Sequence, residues 1–195
     1  MNFWIASLGG YINGEKRVIE FSLEKGQFIH LGEFMEIRKA EINDANVVGE
    51  VHSTAWKQAY TNVFPTEYLS EDTPAQRTRQ FQESCSDEKI NYYLVYEGEK
   101  AVGIVKIISD KIDYEISSFY ILQEYRNKGY GKKVIAYLKQ LFDRAKIQLW
   151  VLEDNKKARQ FYEKNGFRDT GKTRSIYRGK RYTQLQYEYA AERCI

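Results

Sequence analysis

Gly129 and Gly131 sit two residues apart in the stretch EYRNKGYGKK, with Arg126, Lys128, Lys132 and Lys133 around them. Glycine lets a backbone amide approach an anionic oxygen with no Cβ in the way, and the four cations supply opposite charge. A strand that turns through such glycines into a helix presents the helix's first amides, which have no intrahelical partner, to whatever lies above them. The chemistry suggested is the grip of a phosphate or diphosphate. A tight strand-to-helix turn with no ligand would use the same residues. Two nucleotide motifs fit poorly. A P-loop needs a hydroxyl after Gly-Lys, where Lys133 stands, and a Rossmann turn needs a small residue where Val134 stands.

The elements around the turn suit the first reading. DYEISSFYIL (113–122) reads as the strand before it, and Val134, Ile135, Leu138, Leu141, Phe142 and Ala145 recur at helical spacing after it. Upstream, MEIRKA (35–40) alternates as a strand. Asn43 or Asp44 can cap the helix 45–60, and a short helical region and a helix over 75–84 follow. NYYLVYEGEKAVGIVKIIS (91–109) reads as two strands around a turn at 97–100. KIQLWVL (146–152) is a buried strand. A helix then runs over 155–167, capped by Asn155 and stopped by Gly166, before a terminal hairpin over 175–190. This order predicts an α/β fold with a mixed, mostly antiparallel, twisted sheet and helices on both faces.

With 195 residues, 43% of them hydrophobic and 29% charged, the chain suits one soluble domain. No apolar run is long enough for a membrane span and no secretory signal opens the chain, so a cytoplasmic protein is expected. Cys85 and Cys194 and two histidines have no ligand spacing, and no metal is expected. The net charge of +3 hides an asymmetry: from Arg126 onward 18 Lys/Arg face 7 Asp/Glu, and before it 12 face 20. A polyanionic ligand should meet the later part, and a cationic partner suits the earlier one. Residues 1–34 are either an added hairpin, from RVIEFSL and QFIHL, or a segment upstream of a natural start at Met35.

Three stretches resemble the GNAT superfamily of acyl-CoA-dependent N-acyltransferases across roughly 35–190. The turn Arg-x-x-Gly-x-Gly is matched by Arg126, Gly129 and Gly131. The strand Glu-Ile-x-x-apolar-Tyr-apolar is matched by Glu115 to Ile121. The helix Asn-x-x-Ala-x-x-Phe-Tyr-x-x-x-Gly-Phe is matched by Asn155, Ala158, Phe161, Tyr162, Gly166 and Phe167. Gln123 stands where many members have proline. The resemblance implies a GNAT N-acetyltransferase domain over 35–195 that uses acetyl-CoA. Its pyrophosphate would lie on the amides of Asn127, Lys128, Gly129, Tyr130, Gly131 and Lys132, next to Arg126, with Asn155 as a further contact. Its pantetheine arm would pair with the strand at Ile121 and Leu122, in a splayed gap beside KIQLWVL.

The implied reaction is attack of an amine on a thioester. A lysine-like amine must lose a proton first, and Glu115 is the candidate base, although a solvated strand carboxylate reads as readily. Tyr162 is the candidate acid for the leaving thiolate, and it also lines the cofactor. An oxyanion would lean on the amide near Ile121. The resemblance implies that the stretch 52–69 and the terminal hairpin around Tyr177 and Tyr182 wall the acceptor side; Trp56, Tyr60 and Tyr68 could cage a cation there, and at least one of these three reads as core packing. A cationic acceptor is therefore expected: a polyamine, a peptide N-terminus or a lysine. The alternative is a catalytically weak acyl-CoA-binding regulator. Nucleic-acid binding is not expected, because the cations are scattered and lack an aromatic platform. A monomer or a homodimer is equally compatible.

Overall fold

The computed structural model describes residues 35–110, 112–143 and 145–190, and the backbone alone of 6–12, 15–22 and 27–30. Those three backbone segments are β1 (Ala6–Ile12), β2 (Glu15–Ser22) and β3 (Gln27–His30), an antiparallel three-stranded sheet in the order β1-β2-β3.

The main sheet has seven strands. They are β4 (Met35–Lys39), β5 (Ile90–Glu97), β6 (Lys100–Asp110), β7 (Asp113–Ile121), β8 (Lys146–Leu152), β9 (Arg168–Tyr177) and β10 (Arg181–Ala190), in the order β4-β5-β6-β7-β8-β10-β9. Every neighbouring pair is antiparallel except β7 and β8. The helices are α1 (Ala45–Tyr60), α2 (Thr66–Ser70), α3 (Pro74–Ser84), α4 (Tyr130–Leu141) and α5 (Lys156–Lys164).

Both faces of the central strands are covered, which is why YYLV and VGIV read as unbroken apolar runs rather than alternating ones. On one face, Val48 and Val51 of α1 and Phe81 of α3 pack on Tyr92, Leu94 and Ile104. On the other, Val134, Ile135 and Leu138 of α4 meet Tyr93, Val95, Val105, Ile107 and Leu149. Each of those α4 side chains is at most 1% exposed, and burying one contributes about 1.5–3 kcal/mol. Truncating Leu138 to alanine would therefore cost about 2–5 kcal/mol.

Three local expectations shift. The amphipathic helix stops at Leu141, which is 44% exposed, so Ala145 lies beyond it. The terminal hairpin is longer than its apolar pattern, because β9 begins at Arg168 and is mostly exposed, with little alternation to read. Neither Asn43 nor Asp44 caps α1 through its side chain. Asp44 instead accepts from the Glu41 amide at 2.8 Å and from both terminal nitrogens of Arg38, at 2.7 and 2.8 Å.

Candidate active site

β7 carries a bulge. Ile116 lies opposite Ile107 and Ser118 opposite Lys106, which leaves Ser117 without a partner on β6. Such an extra residue bends a strand and increases its twist. Beyond it, β7 and β8 no longer pair. Their parallel register covers only Tyr114, Glu115 and Ile116, opposite Ile147, Gln148 and Leu149.

The open part of β7 faces that gap with its main chain. Leu122 donates to the Val102 carbonyl at 2.9 Å, so Leu122 bonds toward β6. In an antiparallel ladder the alternate residues bond the other way, which turns the amides of Phe119 and Ile121 away from β6 and toward the unpaired side. The Ile121 carbonyl already accepts from Arg126 Nε at 2.9 Å. Arg126 therefore braces the turn against the strand.

The turn itself follows a 3-10 turn at Gln123–Tyr125. Asn127 has φ 63 and Gly129 has φ 85, two left-handed positions that curl successive amides toward one side. The first bond of α4 runs from Lys133 to the Gly129 carbonyl at 3.2 Å. The amides of Gly131 and Lys132 thus precede the helical ladder and point out of its N-terminus. A Cβ on Gly129 would meet nothing within 4 Å, so the space over the turn is open. Lys128 lies 3.6 Å from Glu97 and 4.8 Å from the centre of the Tyr125 ring, while the Tyr130 hydroxyl donates to the Glu97 carboxylate.

Three phenols border the gap. Tyr162 comes from α5, Tyr120 from β7 and Tyr60 from the end of α1. Tyr120 and Tyr60 lie edge to face at 6.2 Å, and Tyr162 packs against Phe161 at 5.3 Å and Phe167 at 5.6 Å. Part of the Tyr162 side chain remains accessible, yet burial of its hydroxyl, with Tyr60 nearby, pushes its pKa above the ordinary phenol value. Burial also raises the Tyr120 pKa, with Tyr60 and Tyr162 adding to the shift. All three are held neutral. Asn155 caps α5 as its type predicts, accepting from the Ala158 amide at 3.1 Å.

Glu115 does not join that group. It is half-buried opposite Gln148, in the section where β7 and β8 still pair, and it faces away from Ile116 and the α4 side. Tyr120 was not among the residues singled out from sequence, although it occupies the tyrosine of the strand motif. The signal was present, but strand alternation alone does not tell a core ring from one at a gap.

Of the residues expected on the acceptor side, Trp56 forms a cluster with Phe64, Leu69 and Leu152, joined by Tyr60, Tyr68, Ile176 and Tyr182. Trp56 is 8% exposed with Arg77 over its ring at 5.6 Å, and Tyr60 stacks on Phe64 at 4.4 Å. Arg178 stands over Tyr68 at 5.9 Å. The rings are thus packed together and partly covered by the chain's own cations. The Tyr182 hydroxyl donates to the Val63 carbonyl at 2.6 Å, and Tyr177, 66% exposed, ends β9 at the hairpin tip. Among the described residues no helix is long and apolar enough to cross a membrane.

A seven-stranded sheet opened between two parallel neighbours, with a glycine turn leading into a helix beside the opening, defines an acetyltransferase-type fold. Residues 53–167, more than half of the chain, match the model of the acetyltransferase (GNAT) family, and the chain belongs to that family. A spermidine N(1)-acetyltransferase of Thermoplasma acidophilum is 26% identical over 144 residues, 69% of this chain and 88% of that protein. An uncharacterised N-acetyltransferase of Bacillus subtilis is 22% identical over 131 residues, 61% of this chain and 72% of that protein. Among solved structures, a PaiA N-acetyltransferase from Thermoplasma acidophilum in complex with coenzyme A matches with a TM-score of 0.68 at 21% identity, covering 80% of this chain and 99% of that one. The ribosomal-protein-S18-alanine N-acetyltransferase of Escherichia coli matches at 0.63 and 15% identity, covering 83% and 99%.

Proposed function

We propose that this protein moves an acetyl group from acetyl-CoA to the primary amine of a small molecule or peptide, by direct attack in a ternary complex formed on residues 35–195. The observation that carries the reading is the end of β7–β8 pairing at Ile116, next to a turn with two left-handed residues and outward amides. An amide-bearing arm could occupy such a gap as an added strand. The solved relative with coenzyme A bound supports the donor, and the spermidine acetyltransferase relative supports an amine acceptor.

The residues present fit the donor. The amides of Gly131 and Lys132 donate to its diphosphate, the open space at Gly129 admits the oxygens, and Lys128, Lys132 and Lys133 offset the charge. The Ile121 amide donates to the arm or to the developing oxyanion. Acetyl-CoA supplies an acyl carbon activated as a thioester. Over the reaction a nitrogen–carbon bond forms and the carbon–sulfur bond breaks. One proton leaves the amine through water to Glu115, and one passes from Tyr162 to the sulfur. Its raised pKa keeps Tyr162 protonated, as an acid must be before it acts. The reaction needs no metal and suits a cytoplasmic monomer or homodimer.

Calorimetry with coenzyme A, followed by thiol release from acetyl-CoA across an amine and peptide panel, tests the reading. Binding with turnover of at least one amine is expected. Absence of both would remove it.

A further inference from the structure

The β9–β10 hairpin carries six cations between Arg168 and Arg181, against one acid, Asp169. Two of them, Arg174 and Arg178, lie on the acceptor face. Arg174 rests over the Trp150 ring at 4.3 Å and donates from Nε to Gln184 at 2.7 Å. Arg178 stands over Tyr68 and donates from one terminal nitrogen to the Tyr177 carbonyl at 2.9 Å. Both guanidinium planes are therefore oriented by neutral neighbours.

Neither forms an ion pair among the described residues, whereas Arg38, Arg77 and Lys146 are paired with Asp44, Asp72 and Asp113. Arg174 is in the field of Arg178 as well as that of Glu115, and Arg178 in turn acts on Tyr60 at the edge of the gap. Two like charges within each other's field, both already oriented, make a receptor for an anion. A guanidinium fork matches a carboxylate with two parallel bonds. A polyamine meets the opposite situation, because the faces of Trp56 and Tyr68 already hold Arg77 and Arg178.

The register sets the reach. Arg174 lies opposite Gln184, and Gln184 opposite Leu152 at the edge of the gap. Two strand spacings are about 10 Å, part of which the arginine side chain itself spans, so the anion and the reacting amine belong to one short molecule.

Building on the acetyl transfer proposed above, we propose that Arg174 and Arg178 bind a carboxylate of the acceptor, so that the preferred substrates are amines that also carry a carboxylate, such as free amino acids or short peptides.

Matched pairs that differ only in that group test the proposal: lysine against cadaverine, ornithine against putrescine, and dipeptides against their C-terminal amides, with spermidine alongside. Thiol release from acetyl-CoA should give kcat/KM at least tenfold higher for the best carboxylate-bearing member than for its partner. The free amino acid and dipeptide arms separate the two sources of the carboxylate. In the double variant Arg174→Gln/Arg178→Gln that ratio should fall toward one, and Arg178→Lys should restore part of it. Equal turnover of paired amines, spermidine outpacing every carboxylate-bearing amine, or a ratio that the double variant leaves unchanged would overturn the proposal while acetyl transfer stands. Turnover of no amine, with no heat from coenzyme A, would remove acetyl transfer and this inference together.

Discussion

Gly131 and the ring of Phe161 are packed so closely that a Cβ on the glycine would stand 3.1 Å from two ring carbons. The first turn of α4 thus rests on α5, and the second glycine of the turn bears on this contact rather than on conformation. Gly129 differs: its φ of 85 is left-handed and nothing lies within 4 Å of its missing Cβ. Gly131→Ala should force Phe161 or the helix start aside, at about 1–3 kcal/mol. Gly129→Ala should cost about 1–2 kcal/mol through backbone strain alone. Urea midpoints would measure both. Calorimetry with coenzyme A should show weaker binding in each, and undiminished affinity in both would show that the turn does not hold the donor.

Tyr162→Phe keeps the ring that packs between Phe161 and Phe167 and removes only the hydroxyl. If that hydroxyl protonates the leaving sulfur, kcat should fall by about 10- to 1000-fold with little change in coenzyme A affinity. Burial raises its pKa, so the proton stays in place as pH rises through the ordinary phenol range. The wild-type kcat profile should therefore show no alkaline loss near pH 10 that the variant lacks. Unchanged single-turnover rates in Tyr162→Phe would remove the acid role.

Local pattern made most of this fold legible. The strand over 146–152 and the helix over 45–60 match their predicted limits, because their apolar patterns marked both. The cap at Asn155 and the stop at Gly166 followed from residue type. What sequence could not show depends on contacts between distant residues. The Ser117 bulge is set by pairing with β6, and the Tyr60–Tyr120–Tyr162 group comes from three separate elements. The same limit applied to Trp56: its spacing from Tyr60 fitted a core face and a cation cage alike, whereas its burial and the Arg77 guanidinium over its ring depend on distant contacts.

Asp44, one of two residues that could have capped α1 through the side chain, instead ties β4 to the start of α1. Arg38 holds its carboxyl below the usual range through the hydrogen bond, and the Glu41 amide adds to this against the opposing effect of burial. A carboxylate with a depressed folded pKa contributes stability above its unfolded value, and that contribution is lost as pH falls through the folded pKa. Asp44→Asn should cost about 1 kcal/mol at pH 7, discounted because Arg38 is partly exposed, and almost nothing once the pH has fallen through the depressed folded pKa. Equal losses at both pH values in paired denaturation curves would show that the charge is not what matters.

His52 is 3% exposed, with its ring 5.8 Å from Tyr120 and 6.4 Å from Tyr92. Burial, assisted by Arg77 and Lys106, pushes its pKa down to about 3. In the unfolded chain it would titrate near pH 6.5. Between those values the unfolded chain binds the extra proton, so the contribution of neutral His52 is complete above pH 6.5 and shrinks as pH falls toward 3. The slope approaches about 1.4 kcal/mol per pH unit. His52→Gln cannot take up that proton, so its stability should fall less steeply than wild type between pH 6.5 and pH 4, even if it is less stable at pH 7. Parallel urea series at each pH would read the difference, and identical slopes would mean that His52 is not held neutral.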